Sequence, residues 1–193
     1  YVIALSLVAS LSTAAWLSFD LVITKQKSTA AIVNVSGRQR MLSQRTALFS
    51  NLLVASAPEE RAQVRQKLTD AIDLMERSHH GLTHGSDDMG LPRDMSQAVH
   101  AMYFEGPEAL DLKVETYIRH VRALLALDDM ALKTDDTLLR YITQNAPGPL
   151  VAALDRMVGQ YQLEGEASVQ RLQKAETLFW LVTLVLLFFE AVL

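Results

Sequence analysis

Apolar positions along this chain recur at steps of three and four over most of its length. No stretch alternates with period two for long, so the pattern predicts helices and no sheet. Two runs break the amphipathic pattern by being apolar all round. Residues 1–19 carry no charge, and residues 177–193 carry a single one, Glu190. Each approaches the roughly 20 residues that a spanning helix needs, and Trp180 sits where an interface residue would. Read this way, residues 1–24 form a first transmembrane helix and residues 177–193 a truncated second one. A secretory signal is the rival for the first run, but the run passes into the helix without a clear cleavage site, Ala14-Ala15 being the nearest approach to one. The apolar stretch exceeds the usual h-region of about 7–15 residues. The chain opens on Tyr1 and stops inside an apolar run, so it reads as a fragment.

Between the two runs, residues 25–176 read as one all-α domain. The first helix runs to about Ala55. Ser56-Ala57-Pro58-Glu59 predicts the next start, with Ser56 as cap, Pro58 in the first turn and Glu59 closing a capping box. The second helix places Val64, Leu68, Ala71, Ile72 and Met75 on one face and fails near Gly81–Gly85. A loop follows through Leu91-Pro92, then a short helix over Asp94–Phe104. Gly106-Pro107 breaks it. A third long helix begins at Glu108 and carries Leu110, Val114, Tyr117, Ile118, Val121, Leu124 and Leu125. Asp135–Gln144 continues it or packs as a separate turn. Asn145-Ala146-Pro147-Gly148-Pro149 is the clearest stop in the chain. A fourth helix starts there and runs into the second apolar stretch, burying Leu150, Leu154, Met157, Val158, Tyr161 and Leu172. Four long helices with short connections predict an up-down-up-down four-helix bundle between two transmembrane helices.

The first helix carries the candidate chemistry. Thr29, Val33, Ser36, Arg40, Ser43, Ala47, Ser50 and Val54 form a narrow stripe at alternating steps of four and three, the spacing of a coiled-coil seam. The seam is small and polar, with Arg40 near its middle. If two copies pair in parallel along it, Arg40 faces Arg40. A small planar oxyanion between the two guanidinium forks relieves the repulsion, with Ser36 and Ser43 adding donors. The competing reading is a solvated or carboxylate-paired arginine on a polar face. Arg38 and Arg45 lie roughly opposite Arg40 on the wheel, which predicts salt bridges within the bundle for them.

Composition narrows the function. A net charge of −4 argues against a nucleic-acid partner, and the absence of cysteine leaves redox compartment unread. The chain has no phosphate-binding glycine loop, no Ser-His-Asp order and no zinc signature, so an enzyme in this segment lacks a supporting constellation. His80 and His84 stand four apart, with His79 beside them, but an open two-histidine pair is too few ligands for a metal site. Asp128-Asp129 and Asp135-Asp136 read as solvated, and Met75, Met95, Met102 and Met157 as packing. Glu190 is costly at membrane depth. It belongs near an interface or across a dimer.

The string Asn34-Val35-Ser36-Gly37-Arg38-Gln39-Arg40-Met41-Leu42-Ser43-Gln44-Arg45 resembles the opening of the PilJ-type sensor domain of type IV pilus chemotaxis transducers. It is also similar to the signature of the NarX/NarQ-type nitrate sensor kinases, matching it at Gly37, Arg40, Met41, Ser43 and Arg45. It departs at Ser36, where those kinases hold alanine. Weaker echoes lie at Leu91-Pro92, Leu154-Asp155, Tyr161-Gln162 with Glu164, and Phe188–Ala191. The resemblance implies a homodimeric receptor in a bacterial inner membrane with its sensor domain in the periplasm. It implies a ligand site of Arg40, Ser36, Gly37 and Ser43 for nitrate or nitrite at the dimer interface, with Arg38, Met41 and Arg45 as secondary candidates. It implies no cofactor, no metal and no nucleic acid; the partners are the oxyanion, a second copy and membrane lipid. The alternative is an interaction or dimerisation module that senses a protein such as a pilus subunit and takes no small ligand.

Overall fold

A computed structural model describes residues 2–192. Side chains are described for these except residues 2–5, 7, 8, 11, 15, 19–21, 25, 186, 187 and 189–192. Six α-helices follow one another: α1 (Val2–Ala55), α2 (Pro58–His84), α3 (Gln97–Phe104), α4 (Leu110–Leu125), α5 (Thr137–Asn145) and α6 (Val151–Val192). No strand occurs among the described residues. The loop after α2 holds one isolated antiparallel bridge between Ser86 and Leu91.

The helix boundaries follow local chemistry, with two corrections. Ser56 does not cap α2. The N-cap is Ala57, extended at φ −62° and ψ 151°, with no side-chain bond. Pro58 disfavours the helical region for the residue before it, so the helix begins one residue later than the capping-box pattern implies. The Ser56 carbonyl instead accepts from Arg61 Nε at 3.1 Å. Second, Asn145–Pro149 is no stop. Ala146–Leu150 winds as a π-helical segment that joins α5 to α6. The wider turn makes room for proline rings that would clash in an α-helix, and the prolines have no N–H to leave unpaired. The Asp135–Gln144 stretch, for which the sequence allows a continuation of the third helix or a separate turn, is a separate helix, α5, capped by Asp136, whose side chain accepts from the Leu138 N–H at 2.7 Å. Ser96 caps α3 in the same way, through Val99 N–H.

Gly81 does not end α2. A β-carbon there would stand 2.9 Å from Leu91 Cδ1 and 3.0 Å from Met89 Cε, so the bare α-carbon lets the following loop fold back onto the helix. The true end is Gly85, at φ 83°, where a side chain would be strained.

The chain divides into two compact units: residues 1–30 with 162–193, and residues 31–161. The second holds the hydrophobic core. Leu42, Leu53, Leu68, Ile72, Met75, Val114, Val121, Leu124 and Ile142 are fully or almost fully buried, and α6 adds Leu154 and Met157. Fully burying one such side chain contributes about 1.5–3 kcal/mol. In the first unit α1 and α6 approach closely: a β-carbon on Gly165 would lie 2.9 Å from Thr29 Cγ2. Among the described residues no helix is long and apolar enough to cross a membrane. The spans expected at 1–24 and 177–193 therefore find no support there; part of each, Glu190 included, lies outside the described side chains.

Candidate functional site

The α1 stripe expected to face a second copy faces inward instead. Ser36, Ser43, Ala47, Ser50 and Val54 are buried in the core of their own unit, next to Val35, Gln39, Leu42, Thr46 and Leu53. The hydroxyls of Ser36 and Ser43 are spent locally. Ser36 Oγ donates to Val33 O at 3.1 Å and Ser43 Oγ to Arg40 O at 2.8 Å. A serine that bonds back to its own helix offsets part of the cost of burying its hydroxyl, which is how Ser36 and Ser43 are accommodated inside. In this conformation neither hydroxyl is open to a solution anion.

Arg40 lies at the edge of the buried face and is half exposed. Its Nη1 meets Asp155 Oδ1 of α6 at 2.6 Å, and that carboxylate is half exposed too. The lone guanidinium expected from the sequence is thus paired within its own chain. Arg38 and Arg45, expected to form the salt bridges, have no ion pair among the described residues. Arg45 lies over the Phe49 ring, 5.3 Å from its centroid. The roles of the three arginines are inverted.

The outer face of α1 carries the rest of the motif. Met41, Leu48 and Leu52 are exposed large apolar side chains. Asn34, Gly37, Met41, Gln44, Leu48 and Asn51 run down this side at steps of three and four, and Arg38 and Arg45 lie along one flank. Gly37 has nothing within 4 Å of where its β-carbon would stand, so no contact inside the chain requires a glycine there.

Beneath the motif is a buried polar layer that sequence reasoning missed. Gln39 is 1 % exposed, and its Nε2 donates to Met75 O of α2 at 2.9 Å. Gln39 Oε1 and the hydroxyls of Ser50 and Ser78 have no hydrogen-bond partner among the described residues. Thr46 Oγ1 and Tyr117 Oη stand 2.8 Å apart, and the tyrosine also donates to Ser43 O at 3.1 Å. Burial pushes the Tyr117 phenol well up, outweighing the Thr46 bond that pulls it down. On α2, His79 Nε2 lies 2.7 Å from Asp111 Oδ1. A carboxylate only accepts, so the proton sits on Nε2. Burial lowers the pKa of His79 although Asp111 and Glu115 raise it. Tyr103, edge-on to His79, is raised well above the usual phenol range by burial and by Tyr161. The hydrophobic signal at these positions gave no warning of the polar contacts, which join residues 36 and 71 positions apart.

The other expected features separate. His80 and His84 stack on each other with centroids 4.4 Å apart. Among the described residues no three His, Asp or Glu side chains are placed to hold a metal ion. A cleft of about 660 Å³ between α2 and the following loop is lined by Asp73, Glu76, Arg77, His80, Asp88 and Arg122. Its charges are largely self-compensated: Arg122 pairs with Asp73 at 2.7 Å and with Glu76. Burial works against the charge of Arg122, and the two carboxylates outweigh it, raising its pKa.

No curated protein and no solved structure matches the chain. Residues 21–141 match the PilJ family, described as the type IV pili methyl-accepting chemotaxis transducer N-terminus. That stretch contains the whole α1 motif and stops short of Asp155. The likeness to nitrate sensor kinases rests on the motif alone. With most of its length inside this match, the chain belongs to the PilJ family, and it is a signal-transducing sensor domain of the chemotaxis-transducer type.

Proposed function

We propose that this domain is the periplasmic sensing part of a homodimeric receptor in a bacterial inner membrane. Residues 1–24 and 177–193 serve as its anchors. It takes a small oxyanion, nitrate or nitrite, at Arg40. The observation that carries this reading is the state of Arg40: mid-motif, half open to solvent, and tied, among the described residues, by one side-chain contact to an equally open carboxylate. An anion from solution can reach it without unfolding anything.

The inward stripe changes the expected geometry of the dimer. A second copy would lie on the outer face of α1, centred on Met41 and Leu48. Arg40 is one residue, about 100° of helical rotation, from Met41. It therefore flanks such a seam instead of sitting on its axis. Arg45 flanks the seam on the opposite side, five residues on. In a parallel two-helix pairing that offset brings Arg40 of one copy beside Arg45 of the other. Two cations and a single carboxylate per site leave a place for one small anion, bound by a guanidinium fork from each side. The open space at Gly37 supports a close approach there. Ser36 and Ser43 then act as packing, not as ligands. Signal would follow only if the anion prefers one arrangement of α1 and α6 over the other. A four-helix, up-down arrangement of α1, α2, α4 and α5–α6 suits that relay.

Isothermal titration of the full chain with nitrate tests the reading. Wild-type heat should vanish in Arg40→Ala and weaken in Arg45→Ala. Heat that persists in Arg40→Ala refutes it. The exposed Met41, Leu48 and Leu52 favour one alternative, a protein partner docked on the outer face. Absence of heat with any small anion, in a chain that sediments as a monomer, supports that alternative.

A further inference from the structure

We infer that Asp155 is an internal competitor for the anion seat, a carboxylate that holds Arg40 while no ligand is bound and that the ligand must displace. The inference rests on the oxyanion reading above and adds a regulatory residue to it. Three observations carry it. First, the pair is the one side-chain tie of Arg40 among the described residues, and it joins α1 to α6 across 115 residues of chain. Second, it is a single contact, Nη1 to Oδ1 at 2.6 Å, so the fork is only half used. A planar oxyanion offers two oxygens to that fork and gains the second bond that Asp155 leaves unmade. Third, Asp155 stands between buried neighbours, Leu154 and Met157, yet is itself half exposed. It can leave the arginine by rotating its side chain while the α6 backbone stays on the core.

The energetics suit exchange. A solvent-exposed ion pair is weak enough for a millimolar anion to compete with it. A buried pair would lock the arginine. The exchange also has a structural consequence. Gln44 Nε2 donates to Ala146 O at 2.9 Å, so α1 keeps a separate tie to the start of the α6 arm. Losing the Asp155 contact removes the surface tie between α1 and α6 near Arg40 and leaves the one at Gln44.

Asp155→Asn is the direct test, and a half-exposed helix position tolerates it. In the full chain, nitrate should bind Asp155→Asn about twofold to fivefold more tightly than wild type, the range expected from removing an exposed pair. Hydrogen exchange across 151–161 in nitrate-free Asp155→Asn should match that of nitrate-saturated wild type. If wild type binds nitrate, Arg40→Ala does not, and Asp155→Asn binds equally or less tightly, the competitor role is overturned while the oxyanion reading stands. Nitrate binding that survives Arg40→Ala, or its absence from all three proteins, overturns both.

Discussion

The two faces of α1 between residues 35 and 54 make opposite use of the same alphabet. The inner face holds Gln39, Ser43, Thr46 and Ser50 alongside Leu42 and Leu53, all essentially without solvent contact. The outer face holds Met41, Leu48 and Leu52, all exposed, with Arg38 and Arg45 beside them. Polarity therefore does not say which side of this helix is inside. For most of the inner polar groups a partner in the chain offsets burial, while the Ser50 hydroxyl and Gln39 Oε1 are buried without one among the described residues. Ser36, Ser43 and Thr46 bond to their own helix, Gln39 bonds across to α2, and their burial is tolerated. The outer methionine and leucines have no such destination inside the unit. This exposed stripe is the face on which the proposed second copy would lie.

The sharpest way to break this contrast is to truncate one leucine from each face. Leu42 is fully buried and Leu48 is 56 % exposed. Leu42→Ala should lower unfolding free energy by about 2–5 kcal/mol. Leu48→Ala should change it by less than about 0.5 kcal/mol. Denaturant titration of both variants checks the difference, and equal losses would mean that the outer face is packed. Self-association should respond in the opposite order, with Leu48→Ala the more damaging.

The sequence made the helices legible for a simple reason. Val64, Leu68, Ile72 and Met75, or Leu110, Val114, Tyr117 and Val121, give strong 3.6-residue periods, and both sets form core faces of α2 and α4. The end of α2 was legible near Gly85, where a glycine acts locally, whereas the start of α3 lies at its cap Ser96, past the expected Asp94. The sidedness of α1 was not legible. A seam with steps of three and four looks the same whether it faces a second copy or its own core, and the hydrogen bonds that settle it cross to other helices. Asp155 could be found only as a faint echo of a family pattern, because nothing local links it to Arg40. The proline-rich segment misled for the converse reason: two local breakers were accommodated by one widened turn.

A smaller effect is expected from pH, and it probes the inner polar layer. Burial depresses the pKa of His79 below its unfolded value of about 6.5, so the folded state favours the neutral ring. The folded chain then binds fewer protons than the unfolded one in this range. Stability from this residue is fully present above pH 6.5 and declines as pH falls from there through the lowered folded pKa. Thermal midpoints measured between pH 7.5 and 5.5 should fall. His79→Gln, which cannot take up a proton, should flatten that slope. A slope of equal size in the variant would assign it to other groups.

The smallest effect separates the two faces most cleanly. Gly37 is a helix-interior glycine with open space where a side chain would be, and its φ lies in the ordinary helical range. Within one chain, Gly37→Ala should therefore stabilise the fold by about 0.5–1 kcal/mol, the usual helix-propensity gain. A glycine that weakens its own helix and packs against nothing in the chain has a role only if something outside comes close. If a second copy crosses α1 there, the added methyl stands in the contact, and the variant should be more stable to denaturant yet dissociate at higher concentration in sedimentation. If the outer face meets no second copy, the first change occurs without the second. That outcome would leave the apolar stripe to another protein and remove the dimer-flank seat proposed for the anion.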